Sequence, residues 1–472
     1  MLTYFPRIFA NKAIVYYFVL LAVVSVLFFQ YALPLWLILF GVVEVVGFFL
    51  GVNYLTKAWA NVTPKTFENR LFVVSFLIRC VYVVFSYLFY MEMTGTPFEF
   101  AAADVGFYDH MGKYGHYLIS NGEFDFLNKF YAYAHMLYSD SGYPIYLSFV
   151  YWLSNDSLIF TRLLHALWLS LTAVLVYKLA VRNFGESVGR MAGVFCMLMP
   201  NLIYYCGLHL KEPIMVFLTV LFVERADYMI RGEKLDVPAL IAVLLSGAAT
   251  FFFRTALGAV LFASLCFALV FSSSRIVGWG KKIMVSVLVL CVLGIGIGGQ
   301  IADEVSTMIE TGSSAQQGNM EWRSERKGGN AFAKYAGAAI FAPLIFTIPF
   351  PTIVHIEDQE DQQMINGGNY IKNIMSFFTI FSLFSLLFSG EWKKHVLPIA
   401  LMCSYLLVLS LSSFAHSERF HLPALPFVLL FAAYGVSIMQ NNNKRWFNYW
   451  CFGTFVIGLA WSWFKLAGRG LI

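Results

Sequence analysis

Apolar stretches of about 20 residues recur along almost the whole chain. A helix needs about 20 consecutive apolar residues to cross the hydrocarbon core of a bilayer. By this rule the sequence predicts thirteen membrane-spanning helices, near residues 13–30, 34–52, 71–91, 157–181, 190–207, 213–230, 238–253, 255–273, 282–300, 371–389, 396–414, 422–439 and 447–464. Apolar runs of this length satisfy their own backbone hydrogen bonds in lipid by forming helices. The predicted fold class is therefore an all-α polytopic membrane protein.

The composition supports this class and excludes others. Hydrophobic residues make up 59% of the 472 residues and charged residues only 12%, whereas soluble domains are about a quarter charged. The net charge of +5 is not gathered in a basic, aromatic-rich cluster, so no nucleic-acid partner is expected. The seven cysteines stand singly in apolar segments without a CxxC pair, so neither disulfides nor a thiolate metal site is expected. No repeat or linker divides residues 1–472, which are predicted to form one integral membrane domain.

Lysine and arginine are distributed unevenly between alternate connections. One set of connections holds sixteen of them: Arg7, Lys12, Lys57, Lys65, Arg70, Arg182, Arg190, Arg231, Lys234, Arg275, Lys281, Lys282, Lys393, Lys394, Lys444 and Arg445. The opposite short connections hold Lys211, Arg254 and Arg419. Because lysine and arginine favour the cytoplasmic side, the two long loops, 92–156 and 301–370, are predicted to be external.

The three cations on the opposite side run against the insertion bias. Snorkelling to lipid headgroups explains any one of them, but three cations beside two long loops favour a site for a phosphate-bearing lipid. Arg254 also marks an ambiguity, because the predicted spans on either side of it are short. These spans either cross the membrane separately or form a broken, re-entrant hairpin covered by protein.

Asp104, in the first long loop, is the strongest candidate for a catalytic group. It follows Ala101-Ala-Ala and precedes Val-Gly, which predicts close packing at the membrane surface. A partly desolvated carboxylate would be a stronger base and would suit general-base catalysis. Alternatively, Asp104 only caps the first helix of the loop. Asp104, Asp109 and His110 could also share a divalent metal ion, although their spacing matches no established metal motif.

The remainder of the loops predicts helices and exposed charge. Residues 109–138 mix aromatic and polar side chains and are predicted to lie along the membrane interface. The helix that starts at Tyr143-Pro144 and runs to Leu153 is too short to span. In the second loop, the acidic run 357–361 favours a solvated face, and the group Arg323, Arg326 and Lys327 favours either phosphate binding or solvated salt bridges. This loop is a candidate lid or acceptor site.

Several segments, in order, are similar to a known family. They are Asp104 with Tyr108, Tyr143-Pro144-Ile-Tyr-Leu, Arg162 at the start of a span, Pro200-Asn-Leu-Ile-Tyr-Tyr followed by Lys211-Glu212, Ser246-Gly247 to Arg254, and Glu418-Arg419-Phe-His-Leu-Pro423. Together they resemble the GT-C class of polyprenyl-phosphate-sugar-dependent membrane glycosyltransferases, which includes the protein O-mannosyltransferases and the lipid A aminoarabinose transferase. The family's usual Asp-Glu pair is here Asp104-Val105, and Ile145 replaces its second proline. The resemblance covers about residues 90–440 and leaves two extra spans in residues 1–70.

The resemblance implies a GT-C-like bundle of about 13 helices and a hexosyl- or pentosyltransferase. The donor would be a polyprenyl-phosphate-linked sugar, and the acceptor a lipid, a glycan or a protein at the periplasmic face of a bacterial inner membrane. Asp104 would act as the general base of an inverting attack, and Arg419, Arg254 and Lys211 would bind the donor phosphate. The supporting residues would be Tyr108, Asp109, Glu418 and Arg162.

Two other functions stay open at this point. A Wzy-like polysaccharide polymerase or ligase also joins lipid-linked glycans externally, and it would depend on arginine more than on Asp104. A transporter of lipid-linked glycans is the alternative from another class. The transporter is disfavoured because charges gather at one face, and paired broken helices near the bilayer midplane are missing from the sequence pattern.

Overall fold

The protein is a helical bundle in a computed structural model that describes residues 2–100, 103–134, 140–232, 236–272, 317–325, 329–335, 338–357, 359–412, 414–439 and 444–472. These residues contain no β-strand, and their one isolated bridge joins Ala32 to Val354. The first helices are α1 (Arg7–Leu27), α2 (Leu35–Ala58), α3 (Pro64–Thr94), α4 (Ala103–Ser120), α5 (Phe126–Ala134), α6 (Gly142–Ser154), α7 (Leu158–Phe184), α8 (Glu186–Leu198), α9 (Pro200–Tyr204), α10 (Glu212–Arg231), α11 (Val237–Phe253) and α12 (Thr255–Phe271). The later ones are α13 (317–325), α14 (Ala338–Leu344), α15 (Glu360–Met364), α16 (Asn366–Phe388), α17 (Val396–Ser410), α18 (Glu418–His421), α19 (Leu425–Ile438) and α20 (Lys444–Ala467).

Six of these helices, α1, α2, α3, α7, α16 and α20, are long and apolar enough to cross a membrane. Four shorter apolar helices, α11, α12, α17 and α19, accompany them in the described part of the chain. The predicted count of thirteen spans is therefore not confirmed, and the span expected near 282–300 lies outside the described residues.

The expected span near 190–207 is interrupted. Helix α8 ends at Leu198, and after Met199 the chain continues as α9 and a 3₁₀ turn at Tyr205–Gly207. Pro200 explains the break, because proline has no N–H to donate and its ring clashes with the preceding helical turn.

The two N-terminal helices belong to the same bundle as the rest. The Glu44 carboxylate on α2 accepts a hydrogen bond from the backbone N–H of Gly368 at 3.0 Å. Gly368 lies in the first turn of α16, where the unpaired N–H groups favour a negative charge. Tyr17 on α1 donates to Asn366 at the start of the same helix, and Tyr370 donates to the carbonyl of Ala13 at 2.7 Å. Residues 1–70, which lie outside the family pattern, therefore fix the start of α16.

The charged side chains of the bundle gather at its two ends. At one end, Arg182 pairs with Glu224 at 2.5 Å and with Asp227 at 3.2 Å, and Arg231 pairs with Asp227 at 2.8 Å. We call this the basic end. It also holds Arg190, which donates to the carbonyls of residues 59, 60 and 62. Helices α7, α8 and α10 thus bring together cations that the sequence predicts to share one side.

The helices of the first long loop lie at the other end of the bundle. Helix α4 packs lengthwise on α6, and glycines make the close approach possible. A Cβ at Gly112 would lie 2.9 Å from the Cβ of Leu147, and one at Gly115 would overlap Ser148. Helix α6, at 13 residues, confirms the predicted short helix that begins at Tyr143-Pro144.

Helix α16 holds the second loop through its polar side chains. Lys372 donates to the carbonyl of Ile348, and Asn373 donates to the carbonyls of Thr347 and Pro349. Ser376 donates to the carbonyl of residue 346 at 2.5 Å. Irregular backbone inside a membrane bundle needs such partners, because no water is available to replace them.

We expect Asn373→Ala to destabilise the protein by about 2–4 kcal/mol, because two buried carbonyls lose their donor and each unpaired group costs about 1–3 kcal/mol. Thermal unfolding in detergent measures the change. Ser389→Ala at the exposed end of α16 is the control and should leave the melting temperature unchanged. An unchanged Asn373→Ala melting temperature would show that these carbonyls find other partners.

Candidate active site

An ion pair between distant parts of the chain defines the candidate site. Nη1 of Arg419 lies 2.7 Å from Oδ2 of Asp104, although 315 residues separate them. Asp104 lies in the first turn of α4, and Arg419 lies in the short helix α18. We call this end of the bundle the site end. The structure thus brings together the expected base and the expected phosphate ligand, in direct contact.

The surroundings of Asp104 differ from the prediction. The expected close packing is wrong, because 47% of the Asp104 side chain is exposed. Its ion-pair partner is the guanidinium of Arg419, at 2.7 Å. Its place in the first turn of α4 also fits the alternative that a carboxylate stabilises a helix start.

Glu212 is the second carboxylate beside Arg419. It is the first residue of α10, and its Oε1 lies 4.0 Å from Nε of Arg419. Only 1% of the residue is exposed. Its Oε2 is buried and has no hydrogen-bond partner among the described residues. Arg419 therefore lies between one exposed and one buried carboxylate.

Phe420 joins two of the predicted phosphate ligands. The guanidinium carbon of Arg254 lies 4.2 Å from the centroid of its ring, and that of Arg419 lies 5.0 Å away. Arg254 occupies the turn between α11 and α12 in an extended conformation, so these segments form two separate helices with the cation at their tip. Nη1 of Arg254 is buried without a partner in the described part of the chain. Both arginines thus converge on one aromatic ring.

Lys211 makes two contacts that the sequence did not predict. It forms an ion pair with Asp140, at the start of α6, and donates to the carbonyl of Phe253 at 3.1 Å. Burial lowers the pKa of Lys211, and Asp140 opposes this shift. Two of its three N–H donors are therefore used. They join Asp140 in the first loop to Phe253, the residue before Arg254, and so help to position Arg254.

Two of the supporting residues predicted from the sequence, Tyr108 and Arg162, make packing and backbone contacts. Tyr108 packs edge-on against Tyr143, with 5.1 Å between the ring centroids, and burial raises its pKa. Arg162 is buried and donates to the carbonyl of Pro97, which fixes the segment before α4. Both residues therefore shape the wall of the site.

Glu418 lies deeper than Arg419. It accepts a hydrogen bond from Tyr205 at 3.5 Å, and burial raises its pKa. It lines a small polar cavity of about 10 Å³ together with Gln362, His416 and Lys465. A cavity of this size holds about one water molecule. Glu418 therefore stabilises the short helix α18 through its buried contacts.

The three residues proposed to share a metal ion do not meet. Asp109 accepts from Tyr151 at 2.6 Å and from Lys113 at 2.7 Å, whereas His110 contacts Tyr133 at 2.9 Å. Residues five and six positions apart on a helix point about 140° and 120° apart around its axis, so one ion cannot reach all three. The described ranges contain no group of three His, Cys, Asp or Glu side chains that would hold a metal.

Sequence reasoning did not single out two further acidic residues. Asp361 accepts from Tyr204 at 3.2 Å, so this member of the acidic run is not simply solvated. Glu99 is 6% exposed, and its Oε2 has no partner among the described residues. Burial raises the pKa of Glu99 to about 7; Asp361 raises it further, and Arg162 lowers it. The apolar residues on both sides of Glu99, Pro97-Phe98 and Phe100-Ala101, were the available signal.

Comparisons with protein-family models, with curated proteins and with solved structures found no match for this chain.

We expect Glu99 to make stability depend on pH. Its pKa is about 7 in the folded protein and 4.5 ordinarily, so the folded state binds more protons between these pH values. The contribution is fully present below pH 4.5 and is lost as pH rises through 7, by up to about 3 kcal/mol at 1.36 kcal/mol per unit. The difference in melting temperature between wild type and Glu99→Gln, measured from pH 4.5 to 8, should therefore change with pH.

The sign of that change is fixed. Wild type should lose stability relative to Glu99→Gln as pH rises, because the amide never ionises. Asp125→Gln, an exposed change in the same loop, is the control. Its curve of melting temperature against pH should stay parallel to that of wild type. Parallel curves for Glu99→Gln as well would mean that Glu99 has an ordinary pKa.

Proposed function

We propose that this protein is an integral membrane glycosyltransferase that moves a sugar from a polyprenyl-phosphate donor to an acceptor. The reaction takes place at the external, periplasmic face of a bacterial inner membrane and inverts the anomeric centre. The acceptor is a lipid, a glycan or a protein. This proposal rests on the resemblance to the GT-C class and on the chemistry of the site end.

The observation that carries the proposal is the meeting of Asp104, Arg419 and Glu212 at one end of an apolar bundle. A guanidinium group has five donors in a planar fork and binds phosphate oxygens well. Asp104, at its edge, is exposed and open to a hydroxyl group from outside. The pair therefore combines a phosphate ligand with a candidate base.

In the proposed reaction, the acceptor hydroxyl gives its proton to Asp104 as its oxygen bonds to the anomeric carbon. The bond between that carbon and the phosphate oxygen breaks, and polyprenyl phosphate leaves with the electron pair. Negative charge grows on the leaving phosphate, so fixed cations lower the barrier. Arg419 and Arg254 are the residues that stabilise this charge.

The ion pair between Asp104 and Arg419 in the substrate-free protein sets the order of these steps. In the substrate-free protein, Arg419 and Asp104 are bound to each other at 2.7 Å. A donor phosphate competes for the same guanidinium and reduces its pull on Asp104. Asp104 is therefore released from the guanidinium when the donor is in place, and it can then contact the acceptor hydroxyl.

The distribution of charge supports the proposed external position of the site. The connections at the basic end carry the cluster of Arg182, Arg190 and Arg231. Lysine and arginine favour the cytoplasmic side of a membrane, so this end is assigned to the cytoplasm. The site end, with α4 to α6, then faces outward.

We expect Ser120→Cys, at the end of α4, to react with a membrane-impermeant thiol reagent in intact cells. Ser389→Cys, at the basic end of α16, should react only after permeabilisation. Both positions are exposed, and the seven native cysteines are replaced by alanine in both variants. The reverse pattern would place the site end in the cytoplasm and remove the polyprenyl-linked donor from the proposal.

We expect Asp104→Asn to reduce sugar transfer by about 10²–10⁴-fold, the usual contribution of a general base. Asparagine keeps the shape of the side chain and its ability to stabilise a helix start but cannot accept the proton. Mass spectrometry of lipid-linked sugars and surface glycans, in cells with and without the protein, first identifies the product and then measures the variant.

The control is Asp109→Asn, which disturbs the Tyr151 and Lys113 contacts but not the proposed base, and should cost far less. Full transfer by Asp104→Asn would leave Asp104 as a helix-stabilising residue. If transfer persists in Asp104→Asn and fails in Arg419→Ala, the arginine-dependent polymerase or ligase is the better assignment.

A further inference from the structure

Two buried polar atoms near Arg419 have no hydrogen-bond partner among the described residues. A buried polar atom that lacks a hydrogen bond costs about 1–3 kcal/mol, so each such atom needs an explanation. Among the described residues of the site end, these atoms include Oε2 of Glu212 and Nη1 of Arg254. One atom is an acceptor and the other is a donor. A ligand that satisfies both must carry hydrogen-bond donors as well as an anionic group.

Glu212 is held so that its free oxygen stays at the site. It starts α10, a helix of 20 residues, and its other oxygen faces Nε of Arg419. Tyrosines surround the carboxylate. Burial first, and then the charge of Glu212, raises the pKa of Tyr108, and Glu212 also contributes to the raised pKa of Tyr205 after burial and Glu418. A carboxylate among aromatic rings suits a polar ligand with apolar faces.

The covalent structure of a sugar phosphate relates this position to the proposed function. The anomeric carbon is separated from phosphorus by a single oxygen atom. A phosphate bound by Arg419 therefore puts the sugar ring within a few ångströms of that guanidinium. Among the described residues, Asp104 and Glu212 are the carboxylates that form ion pairs with Arg419, and the first is already assigned to the acceptor.

We infer that Glu212 recognises the transferred sugar, by accepting a hydrogen bond at Oε2 from a hydroxyl or amino group of the ring. This inference rests on the proposed function. It makes Glu212 a specificity-determining residue, separate from the base Asp104 and from the phosphate ligands. The sugar brings the donor that this buried oxygen lacks, and its phosphate brings the acceptor for the arginines.

Binding to the full-length protein in lipid nanodiscs tests the inference. The probes are undecaprenyl phosphate, undecaprenyl phosphoglucose and undecaprenyl phosphoglucosamine, and native mass spectrometry gives each Kd. Wild type should bind at least one glycosylated lipid about tenfold or more tightly than undecaprenyl phosphate, since a hydrogen bond to a charged group contributes about that much. Glu212→Ala should remove this difference and leave the Kd of undecaprenyl phosphate within about twofold.

Glu212→Gln distinguishes the two kinds of donor. Its amide oxygen still accepts from a hydroxyl group, so a glucose preference should fall only in part. It has no charge for an ammonium group, so a glucosamine preference should fall as far as in Glu212→Ala. Glu224→Gln is the matched control, because Glu224 is equally buried on the same helix but lies at the basic end. It should leave all three affinities unchanged, and melting temperatures check that each variant is folded.

Each other result overturns the inference. A wild-type protein that binds undecaprenyl phosphate but none of the sugars more tightly has no sugar subsite at Glu212, while the proposed function survives. A Glu212→Ala protein that loses undecaprenyl phosphate itself, with Glu224→Gln intact, shows that Glu212 only orients Arg419. A wild-type protein that binds none of the three lipids contradicts the proposed function, and the sugar subsite with it.

Discussion

Arg419 carries its charge where only 30% of its side chain is exposed, and a cation in such a position needs carboxylates close by. Asp104 and Glu212 supply them from two other segments, and Phe420 offers its ring face to the guanidinium. Cation–π contacts and charged hydrogen bonds both strengthen as water is excluded. The contact between α4, α10 and α18 therefore depends on this one side chain, and so does the shape of the candidate site.

The two ends of the bundle treat buried charge differently. At the basic end, Glu224 has Arg182 and Arg225 as ion-pair partners, and Asp227 has Arg182 and Arg231. Such pairing is what buried carboxylates require for stability. At the site end, Glu212 faces Arg419 only across 4.0 Å and keeps one oxygen unpaired. Glu212 is thus more loosely paired than Glu224 and Asp227, and this loose pairing is the reason for proposing that it contacts a ligand.

The sequence predicted the elements of this site better than their contacts. Apolar periodicity and the Tyr143-Pro144 signal identified α6, and the charge bias separated the two ends. The same charge bias predicted that Lys211, Arg254 and Arg419 lie at one face of the membrane. The contacts themselves were not predictable, because a single sequence does not say which of many loop carboxylates becomes buried. Glu212 differs from exposed acids only through helices that pack over it.

Two errors have related physical causes. Asp104 was expected to be desolvated because small residues surround it, but small neighbours also leave a side chain open to water, and Arg419 reaches it across that space. Lys211 was expected to bind phosphate because it is one of three cations that lie beside the long loops, against the insertion bias. Its partner, Asp140, comes from 71 residues earlier in the chain. In both cases the charged residue was identified from the sequence, but its ion-pair partner is set by the tertiary structure.

The ion pair between Asp104 and Arg419 also limits which mechanisms suit this site. In this pair the carboxylate of Asp104 and the guanidinium of Arg419 occupy each other, so neither group is free for a substrate. Glu212 lies farther away, 4.0 Å from Nε of Arg419, and is proposed to contact the sugar and not the phosphate. In the proposed mechanism, the donor phosphate replaces Asp104 while Glu212 remains. The reactive state of the site is thus reached only when substrate supplies the missing negative charge, which is an economical way to keep an exposed base inactive in the absence of donor.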